Sequence, residues 1–184
     1  AMDGAVIWLN VGEEMSAYDM IRSVVIASAN DACVAVCEYI TGTEEMFVER
    51  MNKRAQELGM SDTHYDNCVG FDSDTHYTSA YDTAILSAAV SEYDCYNEFF
   101  ATRLDYVREG ERQTQLLNTN KLMQRYDGII GGKTGTADKV VNGKYSSDTY
   151  SSFIGMAPME DPQLVVLVVV DSPSGVQFGS ATAA

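Results

Sequence analysis

Apolar residues recur at helical spacing through residues 1–130 and then change to alternation and unbroken runs in residues 131–184. Ser16 opens the first helix, with Asp19 at its third helical position in a capping-box arrangement that satisfies free amide donors. Met20, Ile21, Val24, Val25 and Ile26 supply its apolar positions. A second helix is predicted over about Asp31 to Ile40, stopping at Gly42, which takes the left-handed conformation that ends helices. Thr43 caps a third, Glu44 to Leu58, closed by Gly59, and Thr78 or Ser79 starts a fourth that runs through Ala89. Tyr93, Tyr96, Phe99 and Phe100 keep helical spacing and read as core. From Leu104 the period shortens: Leu104–Val107 and Gln113–Leu116 flank the turn Arg108–Glu111, which predicts a hairpin. Three further strands follow, near Ile129 to Ala137, Tyr150 to Ala157 and Gln163 to Val170, with Asn142-Gly143 supplying the tight turn between the first two. Helices first and a meander afterwards predict an α+β fold, a helical cluster plus an antiparallel sheet.

Composition sharpens the same division. Residues 1–130 carry 22 acids and 9 bases, residues 131–184 only 5 and 3, and all three prolines lie in the last 27 residues. The 184 residues make one domain or two small ones, and 46% hydrophobic content lets such a chain bury about two-thirds of its unfolded surface. A net charge of −15 without a Lys/Arg cluster argues against nucleic acid, because phosphate binding rests on basic side chains, and disfavours an anionic membrane surface. The longest apolar run, Leu164 to Val170, is seven residues, against the ~20 that span a bilayer as a helix. The opening Ala1-Met2-Asp3-Gly4 lacks the pattern of a signal peptide, so the expectation is a cytoplasmic chain or a piece of something longer. No repeat and no low-complexity segment interrupts the chain.

The chemistry-bearing residues are few. Cys33 and Cys37 stand one helical turn apart on a small apolar face and read as buried thiols; with Cys68 and Cys95 they need not form a disulfide framework, and no metal site is expected. His64 and His76 each sit beside a tyrosine and read as packed or surface residues. Asp62, Asp66, Asp72 and Asp74 lack the glycine and terminal glutamate of an EF-hand loop. Two short motifs remain: Ser28-Ala29-Asn30 at the break between the first two helices, and Lys133-Thr134-Gly135-Thr136 on a strand, about a hundred residues later.

Alone, the first reads as a helix cap and the second as an edge charge; in this order they resemble the SxN and KTG motifs that accompany SxxK in penicillin-recognising serine enzymes. Residues 5–130 resemble a D-alanyl-D-alanine carboxypeptidase of the low-molecular-mass penicillin-binding proteins. The resemblance is carried by Ile21–Ala32, Phe47–Asn52, Glu57–Tyr65, His76–Asp82 and Asn118–Leu122. Residues 131–184 resemble the end of the transpeptidase domain of high-molecular-mass penicillin-binding proteins, through Gly132–Ala137, Asn142–Ser146, Ser152–Pro158 and Val168–Pro173. The expected organisation is therefore a carboxypeptidase-like helical part, 1–130, joined near Gly131 to transpeptidase-like strands, 131–184, together forming one penicillin-binding domain incomplete at its N-terminus.

The resemblance implies a β-lactamase/transpeptidase-like fold and serine acyl transfer on peptidoglycan D-Ala-D-Ala peptides, with β-lactams as trapping ligands, no cofactor, and an extracytoplasmic, cell-envelope setting for the parent family. Ser28 is expected to relay a proton to the leaving amine and Asn30 to hold the substrate amide carbonyl. Lys133 places positive charge beside the substrate carboxylate, Thr134 and Thr136 donate hydroxyl hydrogen bonds to it beside Gly135, and the Thr136 N–H supplies one oxyanion donor. One part is absent from the 184 residues: scanning back three places from Lys53, Lys121, Lys133, Lys139 and Lys144 gives Arg50, Asn118, Ile130, Thr136 and Val141, never serine. Intrinsic activity is therefore in doubt, and the alternative is a catalytically inactive fragment or chimera serving as scaffold or interaction module. An open sheet edge, left where early strands would pair with the KTG strand, is expected to favour self-association.

Overall fold

The computed structural model describes residues 3–124, 131–141 and 144–174. These comprise five helices, α1 (Ala17–Ala27), α2 (Asn30–Thr41), α3 (Glu44–Glu57), α4 (Ala80–Ser91) and α5 (Asp94–Ala101). The five strands are β1 (Leu104–Val107), β2 (Thr114–Leu117), β3 (Gly131–Val141), β4 (Lys144–Ala157) and β5 (Leu164–Asp171). The expected Asn142-Gly143 turn and the stretch just before Gly131 lie outside the described residues.

The chain divides into two compact units, residues 1–86 with 104–118, and residues 87–103 with 119–184. In the first, local sequence decides where helices begin and end. Ser16 Oγ accepts from the Asp19 N–H at 3.0 Å, and Thr43 Oγ1 accepts from the Met46 N–H at 3.3 Å. Gly42 and Gly59 close α2 and α3 at φ +90° and +80°, where a Cβ would be strained. Ser79 Oγ accepts from the Asp82 N–H at 3.1 Å ahead of α4. The core gathers Ile7, Ile26, Ala32, Cys37, Val48, Ala55, Met60, Val107 and Leu116, all buried.

Hairpin β1–β2 pairs antiparallel, Leu104 opposite Leu117 and Val107 opposite Thr114, around a 3-10 turn at Gly110–Arg112. Arg22 of α1 binds it, donating to Asp105 Oδ2 at 2.6 Å and to the Tyr106 carbonyl at 2.8 Å. Buried Asp82 braces the loop after α3, accepting from the Asp62 N–H and the Thr63 hydroxyl, each at 2.7 Å.

The second unit is a three-stranded antiparallel sheet in the order β3-β4-β5. Helix α5 packs against β3, and Phe99 and Phe100 are buried there with Met123, Phe153, Met156 and Met159. Helical spacing over Tyr93–Phe100 becomes α5, but Tyr93 is not core: as the residue preceding the helix it is 60% exposed. The register of β3 on β4 sets Lys133 opposite Ile154 and Thr136 opposite Ser151, and slips between Asp138 and Val140.

Candidate active site

Each motif sits at a point where the backbone leaves it little choice. Ser28 ends α1 in the left-handed region at φ 56°, ψ 37°, and its N–H donates to the Val24 carbonyl at 3.0 Å. Two residues later Asn30 begins α2, its N–H donating to the Ala5 carbonyl at 2.8 Å. Between them Ala29 is buried, so the turn is pinned at its middle while Ser28 and Asn30 stay half-exposed. Asn30 Nδ2 donates to the Asp3 carbonyl at 2.9 Å, the type of bond by which a carboxamide holds an amide carbonyl. A Cβ on Gly4 would fall 2.6 Å from Nδ2, so this approach of backbone to Asn30 requires glycine.

Asp31 is the anchor of the corner. Its carboxylate accepts from the Ile7 N–H at 3.1 Å, the Leu9 N–H at 3.0 Å and its neighbour's Ala32 N–H at 2.9 Å. A carboxylate in the first turn of a helix also meets the positive end of the helix dipole. A second clamp lies further along the same segment: Glu13 receives Arg108 Nε at 2.5 Å and Arg112 Nη1 at 3.0 Å. Those guanidiniums, with the Asn10 N–H, hold the Glu13 carboxyl down at about 2.

In the second unit β3 carries Lys133, Thr134, Gly135 and Thr136. Glycines before and within the motif stand where a side chain would press on its neighbours, most firmly at Gly132, where the Ile154 carbonyl is also close. A Cβ at Gly132 would lie 2.4 Å from the Phe153 ring, one at Gly131 2.5 Å from Met159 Sδ, and one at Gly135 2.7 Å from Ser152 Oγ. The strand's two-residue period puts Lys133 and Gly135 on one face and Thr134 and Thr136 on the other. Thr134 Oγ1 lies 2.9 Å from Thr119 Oγ1, a hydroxyl pair in which either side can donate.

Lys133 is half-buried, and burial pulls its ammonium below the ordinary lysine value. Its Nζ donates to the Thr134 carbonyl at 3.3 Å, and among the described residues no carboxylate forms an ion pair with it. On β3, the strand at one side of the sheet, this leaves a cation without a counter-ion among the described residues.

The histidines take structural parts. His64 bridges Tyr77 through the backbone and stacks on its ring at 6.2 Å, while His76 meets the edge of Tyr65 at 5.7 Å. Asp66 accepts from Ser73 and Thr75 hydroxyls rather than joining a carboxylate cage. Cys37 is a buried thiol as expected, whereas Cys33 is only half-buried. Cys68 comes up to Cys33 and Cys37, and burial with the neighbouring thiol holds Cys37 protonated up to about 12. Spacing revealed the i, i+4 pair, but a loop cysteine 31 residues beyond Cys37 carries no local signal. Asp31 and Thr119 were within reach, since both lie in stretches that carry the family resemblance, but the roles of anchor and hydroxyl partner emerge only from tertiary contacts.

The D-alanyl-D-alanine carboxypeptidase family model matches residues 1–169. D-alanyl-D-alanine carboxypeptidase DacF of Bacillus subtilis is 44% identical over 136 residues, which are 73% of this chain and 35% of the relative. Stage V sporulation protein D of the same organism is 58% identical over 57 residues, 30% of this chain and 9% of that protein. The chain spans about two-fifths or less of these curated relatives. Penicillin binding protein 5 from Haemophilus influenzae superposes with a TM-score of 0.75 at 25% identity, covering 94% of this chain and 47% of that structure. The α+β architecture is thus the one found in penicillin-binding proteins.

Proposed function

The chain belongs to the D-alanyl-D-alanine carboxypeptidase family, and on that premise we propose that it supplies the substrate-recognition and proton-relay side chains of a serine acyl-transfer site for peptides ending in D-Ala-D-Ala. The observation that carries the reading is Lys133: a half-buried ammonium on β3 that has no carboxylate partner among the described residues. Taking a cation partly out of water raises its attraction for an incoming carboxylate, because solvent screens the pair less. Thr134, across the strand from Lys133 and in a hydroxyl pair with Thr119, offers its hydroxyl to the substrate terminus from the other face of β3. Asn30 presents Nδ2 to a carbonyl in the way it meets Asp3, and Ser28, fixed by its left-handed turn, passes a proton to the leaving amine. The Thr136 N–H serves as one oxyanion donor, a group worth about 2.7–4 kcal/mol in the transition state.

The nucleophile is the one role these residues leave open, since no serine stands three places before a lysine. β-Lactams, as mimics of the same terminus, are ligands of the recognition side chains. The setting we infer is the cell envelope; no helix among the described residues is long and apolar enough to cross a membrane.

A second reading has its own support. The 58% identity over 57 residues to Stage V sporulation protein D exceeds the 44% over 136 residues to DacF. The second reading is a chimera of two penicillin-binding families joined near Gly131, inactive alone and acting as a scaffold; a short match of higher identity is what a borrowed segment would give. Against it stands the family model, which runs past residue 131 to 169. On either reading β3 and β5, the outer strands of the sheet, favour self-association of the chain, β5 also exposing Leu164, Val166 and Val168 on one face.

Equilibrium dialysis with a labelled penicillin, followed by intact mass, separates the readings. The first expects reversible retention at unchanged mass. Neither retention nor adduct would overturn it in favour of the scaffold, and a covalent adduct would overturn the assignment of Ser28 as a relay.

A further inference from the structure

The thiols of Cys33, Cys37 and Cys68 form a cluster that acyl transfer does not use. Cys33 and Cys37 occupy successive turns of α2, and Cys68 is delivered by the loop after α3, bringing all three sulfurs within 4.8 Å of one another. We propose that these three cysteines form a binding site for a soft, tetrahedral divalent cation of the zinc type, with the fourth position open to water.

The spacing fits this use. Zinc–thiolate bonds of about 2.3 Å in a tetrahedron set the sulfurs roughly 3.8 Å apart, so the cluster closes around an ion with side-chain shifts of about 1 Å or less. A disulfide within the α2 pair is disfavoured, because residues four apart on a helix hold their Cβ atoms about 5–6 Å apart and a disulfide needs about 3.8 Å.

The scaffold holds all three donors. Asn67 Oδ1 accepts from the N–H groups of Val69, Gly70 and Phe71 at 3.2, 2.7 and 2.9 Å, fixing the loop that presents Cys68. Cys33 Sγ donates to the Cys68 carbonyl at 3.3 Å, tying loop to helix. Glu44 Oε1 accepts from the Cys68 N–H at 3.0 Å, which places a carboxylate beside the thiols and favours a cation over bare thiolates. Cys37 is buried at the back, while Cys33 and Cys68 are half-exposed and give the ion its way in. Binding is not a redox step: three S–H protons pass to solvent as three sulfur–metal bonds form.

Cobalt titration of the reduced 184-residue chain without oxygen tests the site. One Co2+ per chain is expected, with thiolate-to-cobalt charge-transfer absorption and tetrahedral d–d bands. Zn2+ displaces the cobalt and protects three of the four cysteines from iodoacetamide, leaving the exposed Cys95 to react. Cys95→Ser keeps the bands and Cys68→Ser loses them. The proposal is overturned if the wild-type chain shows no bands, if Cys68→Ser keeps them undiminished, or if Zn2+ leaves all four cysteines equally reactive. The alkylation pattern needs no variant, so it decides even where Cys68→Ser does not fold.

Discussion

Replacing Glu13 by glutamine removes one charge from the clamp that ties residues 7–13 to hairpin β1–β2. Arg108 is 8% exposed at its side chain and spends its guanidinium on Glu13, the Ile7 carbonyl at 2.7 Å and Thr114 Oγ1 at 2.7 Å. The Glu13 carboxyl lies at about 2 in the folded chain against an ordinary 4.5. A depressed carboxylate stabilises the fold above its unfolded pKa and loses that contribution as the pH falls toward the folded one. At 1.36 kcal/mol per unit, the shift corresponds to about 3 kcal/mol near neutrality. Solvent screening of a carboxylate 13% exposed brings that to about 2 kcal/mol.

Glu13→Gln is therefore expected to lower stability by about 2 kcal/mol at pH 7, or ~4–8 °C in Tm for a chain of this size. The gap to the wild type should close between about pH 5 and 2, since only the wild type titrates there. Urea denaturation at a series of pH values reads both curves. Parallel curves, or a gap under ~0.5 kcal/mol at pH 7, the scatter of ordinary surface substitutions, would show that the Glu13 clamp does not hold the fold.

Asp31→Asn should cost about 2 kcal/mol by weakening the charge-assisted bonds to the Ile7 and Leu9 N–H groups, measured by the same denaturation. Gly132→Ala drives a methyl to 2.4 Å from the Phe153 ring and should destabilise the second unit by about 1–3 kcal/mol, seen as early loss of hydrogen-exchange protection in β3 and β4. Pairing Val166→Lys with Val168→Lys charges the exposed face of β5 and should shift light scattering of the chain toward monomer; an unchanged distribution would count against association through that strand.

The elements most legible in the sequence are those whose ends are chemically marked. Ser16, Thr43, Gly42 and Gly59 stop or start helices by local hydrogen bonds and backbone freedom, and the helices begin and end there. The hairpin was legible because Leu104–Val107 and its partner alternate around a glycine turn. Strand β3 extends to Val141 and β4 starts at Lys144, further than apolar runs suggest, because polar residues such as Thr136 and Ser151 pair through backbone bonds that side-chain pattern does not encode.

Ser28-Ala29-Asn30 and Lys133-Thr134-Gly135-Thr136 were legible as motifs, since their chemistry is written in consecutive residues. What surrounds them was not. Asp31 as anchor, Thr119 as hydroxyl partner and Cys68 as third thiol depend on contacts across 24, 15 and 35 residues. Tyr93 misleads for the converse reason: its spacing is helical, but it stands just outside the helix.

Saturation-transfer NMR with an N-acyl-D-Ala-D-Ala peptide, and the L-Ala-L-Ala isomer as control, reads recognition of the peptide terminus by Lys133 and Asn30. Transfer is expected to the D-Ala methyl protons in the wild-type chain, none for the L,L peptide, and loss of the signal in both Lys133→Ala and Asn30→Ala. Equal transfer to both isomers, or a signal unchanged in Lys133→Ala, would contradict that recognition.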